Sequence, residues 1–359
     1  MSGHGGEVFR IARNLGVPPG DLLDFSASIN PLGLSGRVRD AILQTLDQIV
    51  HYPDSDCTGL KQLIADVEGV SPRQVVVGNG STELIGLIPL ALHPRSGRGV
   101  IIEPAFSEYE RGLARAGYRI DRVVLSPDDR FSLPCDRIRE SLKGGCDILF
   151  FANPGNPSGR YYPPEILTPL LDVAHDAARL TVIDEAFIDF IPGGESAHSL
   201  LPRYPRILIL RSLTKFHALP GLRLGYALGE PETITPLGEL RDRWSVNTLA
   251  QAAGVAALRD REYRRETLDL IPRERGRLAE MLERVAGVTV VSGDANYLLL
   301  RLPEPADPDQ LLLRLLEERI LVRSCATFRG LSPRHIRVAV RSAADNQTLV
   351  EALHRHLSP

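Results

Sequence analysis

Short apolar runs alternate with amphipathic stretches through the first two thirds of the chain. GVIIEP, YRIDRVVL, DILFFAN, LTVIDEAF and RILILRS are rich in Val, Ile and Leu and too short for helices, so they predict strands. Between them, SEYERGLARAG and PEILTPLLDVAHDAA carry apolar residues at helical spacing. This alternation predicts an α/β fold: a mostly parallel central sheet flanked by helices on both faces. Upstream, helices are predicted over 35–49 and 58–67, and SPRQVVVGNGSTELIGLIPLAL reads as strand, tight glycine turn and long helix.

Past Pro236 the pattern changes to long helices over 237–259 and 262–285. A small α+β unit follows, with VTVV, NYLLLRL, ERILVRS and HIRVAV as strands. At the other end, Val8, Ile11, Ala12 and Leu15 form a short helical stripe before DFSASINPLG, where Asn-Pro and Gly force an irregular loop. Three parts are therefore expected: an arm over 1–35 reaching the small unit and the site, a large domain over 36–235 and a small α+β domain over 236–359.

At 359 residues, 43% hydrophobic and 24% charged, the chain can bury a sizeable core. A net charge of −3 argues against a nucleic-acid partner. No apolar leader and no run of about 18 apolar residues is present, so a cytoplasmic protein with no membrane partner is expected. Cys57, Cys135, Cys146 and Cys325 show no C-x-x-C spacing, which points to neither a metal site nor a disulfide framework.

Of the 42 lysines and arginines only three are lysine: Lys61, Lys143 and Lys215. Arginine has taken nearly every position where a cation need only be solvated. A lysine kept just past the strand RILILRS therefore asks for a chemical reason, and lysine, unlike arginine, can lose its proton and condense with a carbonyl.

Gly78-Asn79-Gly80-Ser81-Thr82-Glu83 supplies the complementary chemistry. Glycines let backbone N–H groups approach a ligand, the hydroxyls add donors, and the following helix start carries partial positive charge, which suits a phosphate. A dinucleotide site is the rival reading, because Glu103 follows about 20 residues on, but Glu83 stands where the third glycine belongs. Phe106, Asn156, Asp184 and Lys215 each close or follow a predicted strand, where ligands of such sheets gather. One ligand accounts for an amine, a carboxylate and a phosphate cup at neighbouring strand ends: pyridoxal 5′-phosphate, with Lys215 on its aldehyde and Asp184 on its ring nitrogen.

These motifs resemble the fold-type I pyridoxal-phosphate enzymes of the aspartate aminotransferase class over nearly the whole chain. The resemblance implies that Lys215 is the Schiff-base lysine and that Ser212 and Arg223 join Gly80, Ser81 and Thr82 on the cofactor phosphate. It further implies that Phe106 in EPAFSEY stacks on the ring, Asn156 in NPGNPSG bonds the ring hydroxyl, and Asp184 pairs with the pyridinium. Tyr52 in HYPD resembles a tyrosine lent by a neighbouring subunit, implying a homodimer with shared sites. Phe187 stands where the class often has tyrosine, so one hydrogen bond to the ring hydroxyl is absent.

Within the class, the chain is similar to histidinol-phosphate aminotransferases and to the threonine-phosphate decarboxylases of cobalamin synthesis. The HGG arm, DFSASINPLG, DEAFIDF and RSCATFRGL tilt it towards the second. The resemblance implies a phosphorylated amino substrate, received by Arg323 and Arg337 with His4, Gly5, Asn30 and Asn156. The expected reaction is decarboxylation of L-threonine O-3-phosphate; O-phosphoserine and histidinol-phosphate-type transamination are the alternatives.

Overall fold

The computed structural model describes residues 5–92, 97–304 and 306–357. In chain order its strands are β1 (Leu23–Asp24), β2 (Val75–Gly78), β3 (Arg98–Glu103), β4 (Arg119–Val124), β5 (Cys146–Ala152), β6 (Ala178–Asp184) and β7 (Ile207–Ser212). There follow β8 (Gly225–Gly229), β9 (Thr289–Ser292), β10 (Tyr297–Arg301), β11 (Ile320–Leu321), β12 (Arg323–Ser324) and β13 (His335–Ala339).

A seven-stranded sheet in the order β2-β8-β7-β6-β5-β3-β4 forms the large layer. The pairs β3–β4, β3–β5, β5–β6 and β6–β7 are parallel, as the apolar runs predict, whereas β8 runs antiparallel between β7 and β2. Alternate residues of each central strand fill opposite faces. Phe151, Ile183 and Ile209 pack in one core, and Phe150, Val182 and Leu208 in another. Burial of each such side chain contributes roughly 1.5–3 kcal/mol. A separate core holds Leu298, Leu300, Ile336 and Val338 of the small antiparallel sheet β12-β13-β10-β9.

The arm docks on the small unit. β1 pairs in parallel with β11, and the Phe25 backbone continues the contact, donating to Leu321 O at 2.7 Å and accepting from Ala339 N at 2.9 Å. Among the described residues no helix is long and apolar enough to cross a membrane.

Two expectations need correction, and one strand was not foreseen. The helix over 237–259 is two helices, Pro231–Leu240 and Thr248–Arg259, because Asn247 caps the second by accepting from Ala250 N at 2.8 Å. ERILVRS is not one strand: β11 and β12 join different sheets, parting at Val322. Gly225–Gly229 was not expected to be a strand at all, since its glycines mask the alternation. The Pro231–Leu240 helix packs on β2 and the Ser81–Ala91 helix, and Thr248–Arg259 packs on the helices Gly36–Thr45 and Thr58–Glu68. We therefore propose that the large unit extends past 236, to about Arg259.

Candidate active site

Gly225 is the register partner of both Ser212 on β7 and Gly78 on β2, so the lysine turn and the glycine turn lie side by side. A Cβ at Gly225 would stand 2.6 Å from Ser81 N and 2.8 Å from Arg211 O. No side chain fits there, and its absence lets the two turns meet.

Beyond Gly78 the chain turns through Gly80, at φ +78°, into the Ser81–Ala91 helix. A Cβ at Gly80 would lie 2.7 Å from Arg223 Nη2. Arg223 itself adopts φ +57°, a left-handed conformation costing about 1–3 kcal/mol for a non-glycine residue. Bare glycine, a helix N-terminus and a strained arginine thus form one anion cradle, and the first-turn N–H groups of Ser81 and Thr82 have no partner within the helix. Ser212 Oγ and Thr214 Oγ1 are 2.7 Å apart on its rim.

Lys215 sits on the short Leu213–Phe216 helix directly after β7 and reaches the same cavity, of about 660 Å³. Burial, then the positive charges of Arg223 and Arg337, push its amine down to about 8, against the pull of Asp184. Asp184, the last residue of β6, is buried. Burial raises its carboxyl above the usual range; a hydrogen bond from Tyr109, the Ala186 N–H and Lys215 work the other way. Tyr109 Oη donates to Asp184 Oδ2 at 2.6 Å, and Ala186 N donates to Oδ1 at 3.0 Å.

The far end of the cavity belongs to the small unit and the arm. Arg323 and Arg337 are register partners on β12 and β13, 7% and 6% exposed. Arg337 donates to Asn156 Oδ1 and, at 2.7 Å, to Ser26 O, while its Nε is buried with no partner. Burial pushes both guanidinium groups below their ordinary value. Two buried cations side by side, with Lys215 and Arg223 nearby, make this cavity a receiver for anions.

Gly5, Ser81, Thr82, Phe106, Asn156, Asp184, Ser212, Lys215, Arg223, Arg323 and Arg337 all line this one cavity. His4 lies outside the described residues. Asn30 is not among the residues that line this cavity. Its amide donates to Phe216 O at 2.8 Å and Thr267 Oγ1 at 2.7 Å, and its backbone N–H to Lys215 O at 3.1 Å, so it braces the lysine turn. Tyr52 also lies outside, 78% exposed and stacked on Trp244 with ring centroids 4.4 Å apart.

Sequence reasoning missed Tyr109, Thr327 and Phe328, all on the cavity wall. Tyr109 reads as part of an amphipathic stripe; the signal available was its place three residues after Phe106, one helical turn on. Thr327 and Phe328 sit on a loop with no periodic signature.

The donor set fits pyridoxal 5′-phosphate: an anion cradle two glycines keep open, an amine with a lowered proton affinity, and a buried carboxylate at the next strand end.

The sequence matches the description "Aminotransferase class I and II" over residues 20–355. It is 42% identical to the threonine-phosphate decarboxylase of Salmonella typhimurium, covering 99% of this chain and 97% of that protein. A histidinol-phosphate aminotransferase of Nitratidesulfovibrio vulgaris is 36% identical, over 92% of this chain and 88% of its own. Among solved structures, the histidinol-phosphate aminotransferase of Sinorhizobium meliloti in complex with pyridoxal 5′-phosphate superposes with a TM-score of 0.86. At 24% identity, covering 98% of this chain and 94% of that one, it bears on the fold alone. Geometry, chain-long identity and superposition agree: the chain belongs to the class I and II aminotransferase family.

Proposed function

We propose that the chain decarboxylates L-threonine O-3-phosphate, releasing CO₂ and (R)-1-aminopropan-2-ol O-phosphate, the linker unit of cobalamin. The observation that carries this reading is the buried Arg323–Arg337 pair opening into the cavity of Lys215 and Asp184. Identity of 42% to a threonine-phosphate decarboxylase supports it.

When bound, pyridoxal 5′-phosphate supplies an electron sink for the bond broken at the substrate Cα. Gly80, Ser81, Thr82, Ser212 and Arg223 would hold its phosphate, Phe106 would cover its ring, Asn156 would bond its ring hydroxyl, and Asp184 would keep its nitrogen protonated. Arg323 and Arg337 take the substrate phosphate, whose three oxygens match their planar forks better than a lysine would. The Cα–carboxylate bond breaks, CO₂ leaves, and the electron pair left behind is used to take up a proton at Cα. Lys215 stands on the wall to hand Cα the replacing proton.

The proposal includes a homodimer. Leu43, Ile49, Val50, Tyr52 and Trp244 are exposed around the end of the 36–50 helical segment, a concentration of apolar surface that a second copy would bury. Tyr52 then reaches the neighbour's cofactor phosphate.

The direct test is to incubate cofactor-loaded protein with L-threonine O-3-phosphate and measure CO₂ and the phosphorylated amino alcohol. CO₂ equal to substrate consumed is expected. A keto acid and glutamate formed from 2-oxoglutarate, without CO₂, would make the chain a transaminase instead. O-phosphoserine should react more slowly but measurably, since one methyl discriminates by only about 1–3 kcal/mol.

A further inference from the structure

Asp184 is the one acid expected to touch the cofactor, and burial works against its charge. A carboxylate in that position takes up a proton unless donors hold its oxygens. Two do: Ala186 N at 3.0 Å on Oδ1 and Tyr109 Oη at 2.6 Å on Oδ2. The first belongs to the backbone and comes with the turn after β6. The second comes from a different element, the Ser107–Arg115 helix, and is a matter of sequence.

Tyr109 is built into place. Its ring stacks on Phe150 with centroids 4.9 Å apart and planes 6° apart, and it meets the edge of Phe106 at 6.0 Å and 90°. It is only 1% exposed. Burial and the Asp184 charge push its phenol well above the ordinary value, so it remains a donor at any working pH. A short hydrogen bond to a carboxylate from an immobile ring fixes orientation as well as charge.

We propose that Tyr109 is a positioning residue for the cofactor, holding Asp184 ionised and aimed at the ring nitrogen while carrying Phe106, the ring-stacking residue, on its own helical turn. One buried aromatic thereby sets two of the contacts expected to the same ring. This rests on the cofactor reading above. It explains why an acid so deeply buried persists: the phenol supplies a partner where, among the described residues, no arginine does.

Tyr109→Phe keeps the ring and its stacking but removes the donor. The readout is the dissociation constant of pyridoxal 5′-phosphate from the apo-protein, in the natural background and in Asp184→Asn. In the natural background the single oxygen should cost about ten- to a hundredfold in affinity. In Asp184→Asn it should cost less than about threefold, because the group Tyr109 acts through is gone. The visible absorbance of the bound cofactor should move in the same direction in both single variants. Equal losses in both backgrounds, or no loss in either, would overturn the role. Thermal melting of the apo-proteins separates folding from binding: the lost buried hydrogen bond should lower the melt of Tyr109→Phe by only a few degrees, and an affinity loss that follows the melting temperature rather than the presence of Asp184 counts against the role. Failure of the natural protein to bind the cofactor sinks the cofactor reading itself.

Discussion

Arg323 and Arg337 are opposed across the β12–β13 pair, and both guanidinium groups line the cavity that holds Lys215. Like charges that close, both nearly excluded from water, repel unless an anion lies between or beside them. A phosphate beside them would relieve that repulsion, as the proposed substrate does.

Arg337→Lys should accordingly raise KM for L-threonine O-3-phosphate by about ten- to a hundredfold, the worth of a charge-assisted hydrogen bond lost with the fork geometry. The point charge is retained, so the effect reports the lost guanidinium geometry, its bonds to Asn156 and Ser26 O included. Pyridoxal 5′-phosphate affinity should change less than KM, because the cradle at Gly80 and Arg223 is untouched and only the Arg337 bond to Asn156 is disturbed. Steady-state kinetics beside a cofactor titration checks both, and an unchanged KM would remove Arg337 from the substrate site.

Lys215 gives a pH dependence with a definite sign. Its amine is lowered to about 8 from an ordinary value of about 10.4, so below pH 8 it is mostly protonated and above it mostly neutral. Only the neutral amine attacks an aldehyde. The rate at which apo-protein bonds the cofactor should rise about tenfold per pH unit up to about 8 and level off above it. Arg223→Gln removes one of the two cations that depress the amine, so the plateau should begin at higher pH. Stopped-flow absorbance over pH 6–10 measures this. A profile flat across that range, or a plateau displaced downward in Arg223→Gln, contradicts the assignment.

Much of this candidate site is legible in the sequence, for a physical reason. Buried parallel strands must be apolar, so a polar residue at their ends stands out, and Asp184, Asn156 and Lys215 were found that way. Reading fails where a residue's surroundings come from distant chain. Asn30 looked like a loop polar group, but its partners Phe216 and Thr267 are 186 and 237 residues away. β8 was hidden because its end glycines are demanded by neighbours: Ser81 N at Gly225, and Leu208 Cδ1, 3.0 Å from a Cβ at Gly229. Tyr109 was lost among helical apolar positions, its partner Asp184 being 75 residues on.

The exposed apolar surface makes the subunit arrangement testable. Val50→Asp places a charge on a residue 78% exposed in the single chain, so it should not disturb the fold. If that surface is covered by a second copy, the charge is buried unpaired and association weakens by several kcal/mol. Light scattering coupled to size exclusion should show a dimer for the natural protein and a monomer for Val50→Asp at micromolar concentration. A natural protein that runs as a monomer, or a variant that stays dimeric, places the interface elsewhere or removes it.

The loop carrying Thr327 and Phe328 is fastened to the large unit by charge. Arg329 lies 3.9 Å from Glu103 and 3.5 Å from Glu110, and Arg122 binds the same two acids at 3.8 and 2.6 Å. Next to it Gly330, at φ +82°, presses so closely that a Cβ would stand 2.5 Å from Val124 Cγ1. Arg323 stacks over Phe328 at 5.1 Å and donates to Thr327 Oγ1 at 3.3 Å, so the fastened loop also steadies the arginine proposed to bind the substrate. Arg329 is half exposed, and a single exposed ion pair contributes about 0.2–1 kcal/mol. Arg329→Ala should therefore raise KM for the phosphorylated substrate about two- to fivefold and leave cofactor affinity alone. Salt at about 0.5 M screens the pair, but it also weakens phosphate binding directly, so the comparison lies between proteins. The gap in KM between natural protein and variant should narrow as salt is added. A gap that stays constant means Arg329 acts through packing of its stem rather than through its charge.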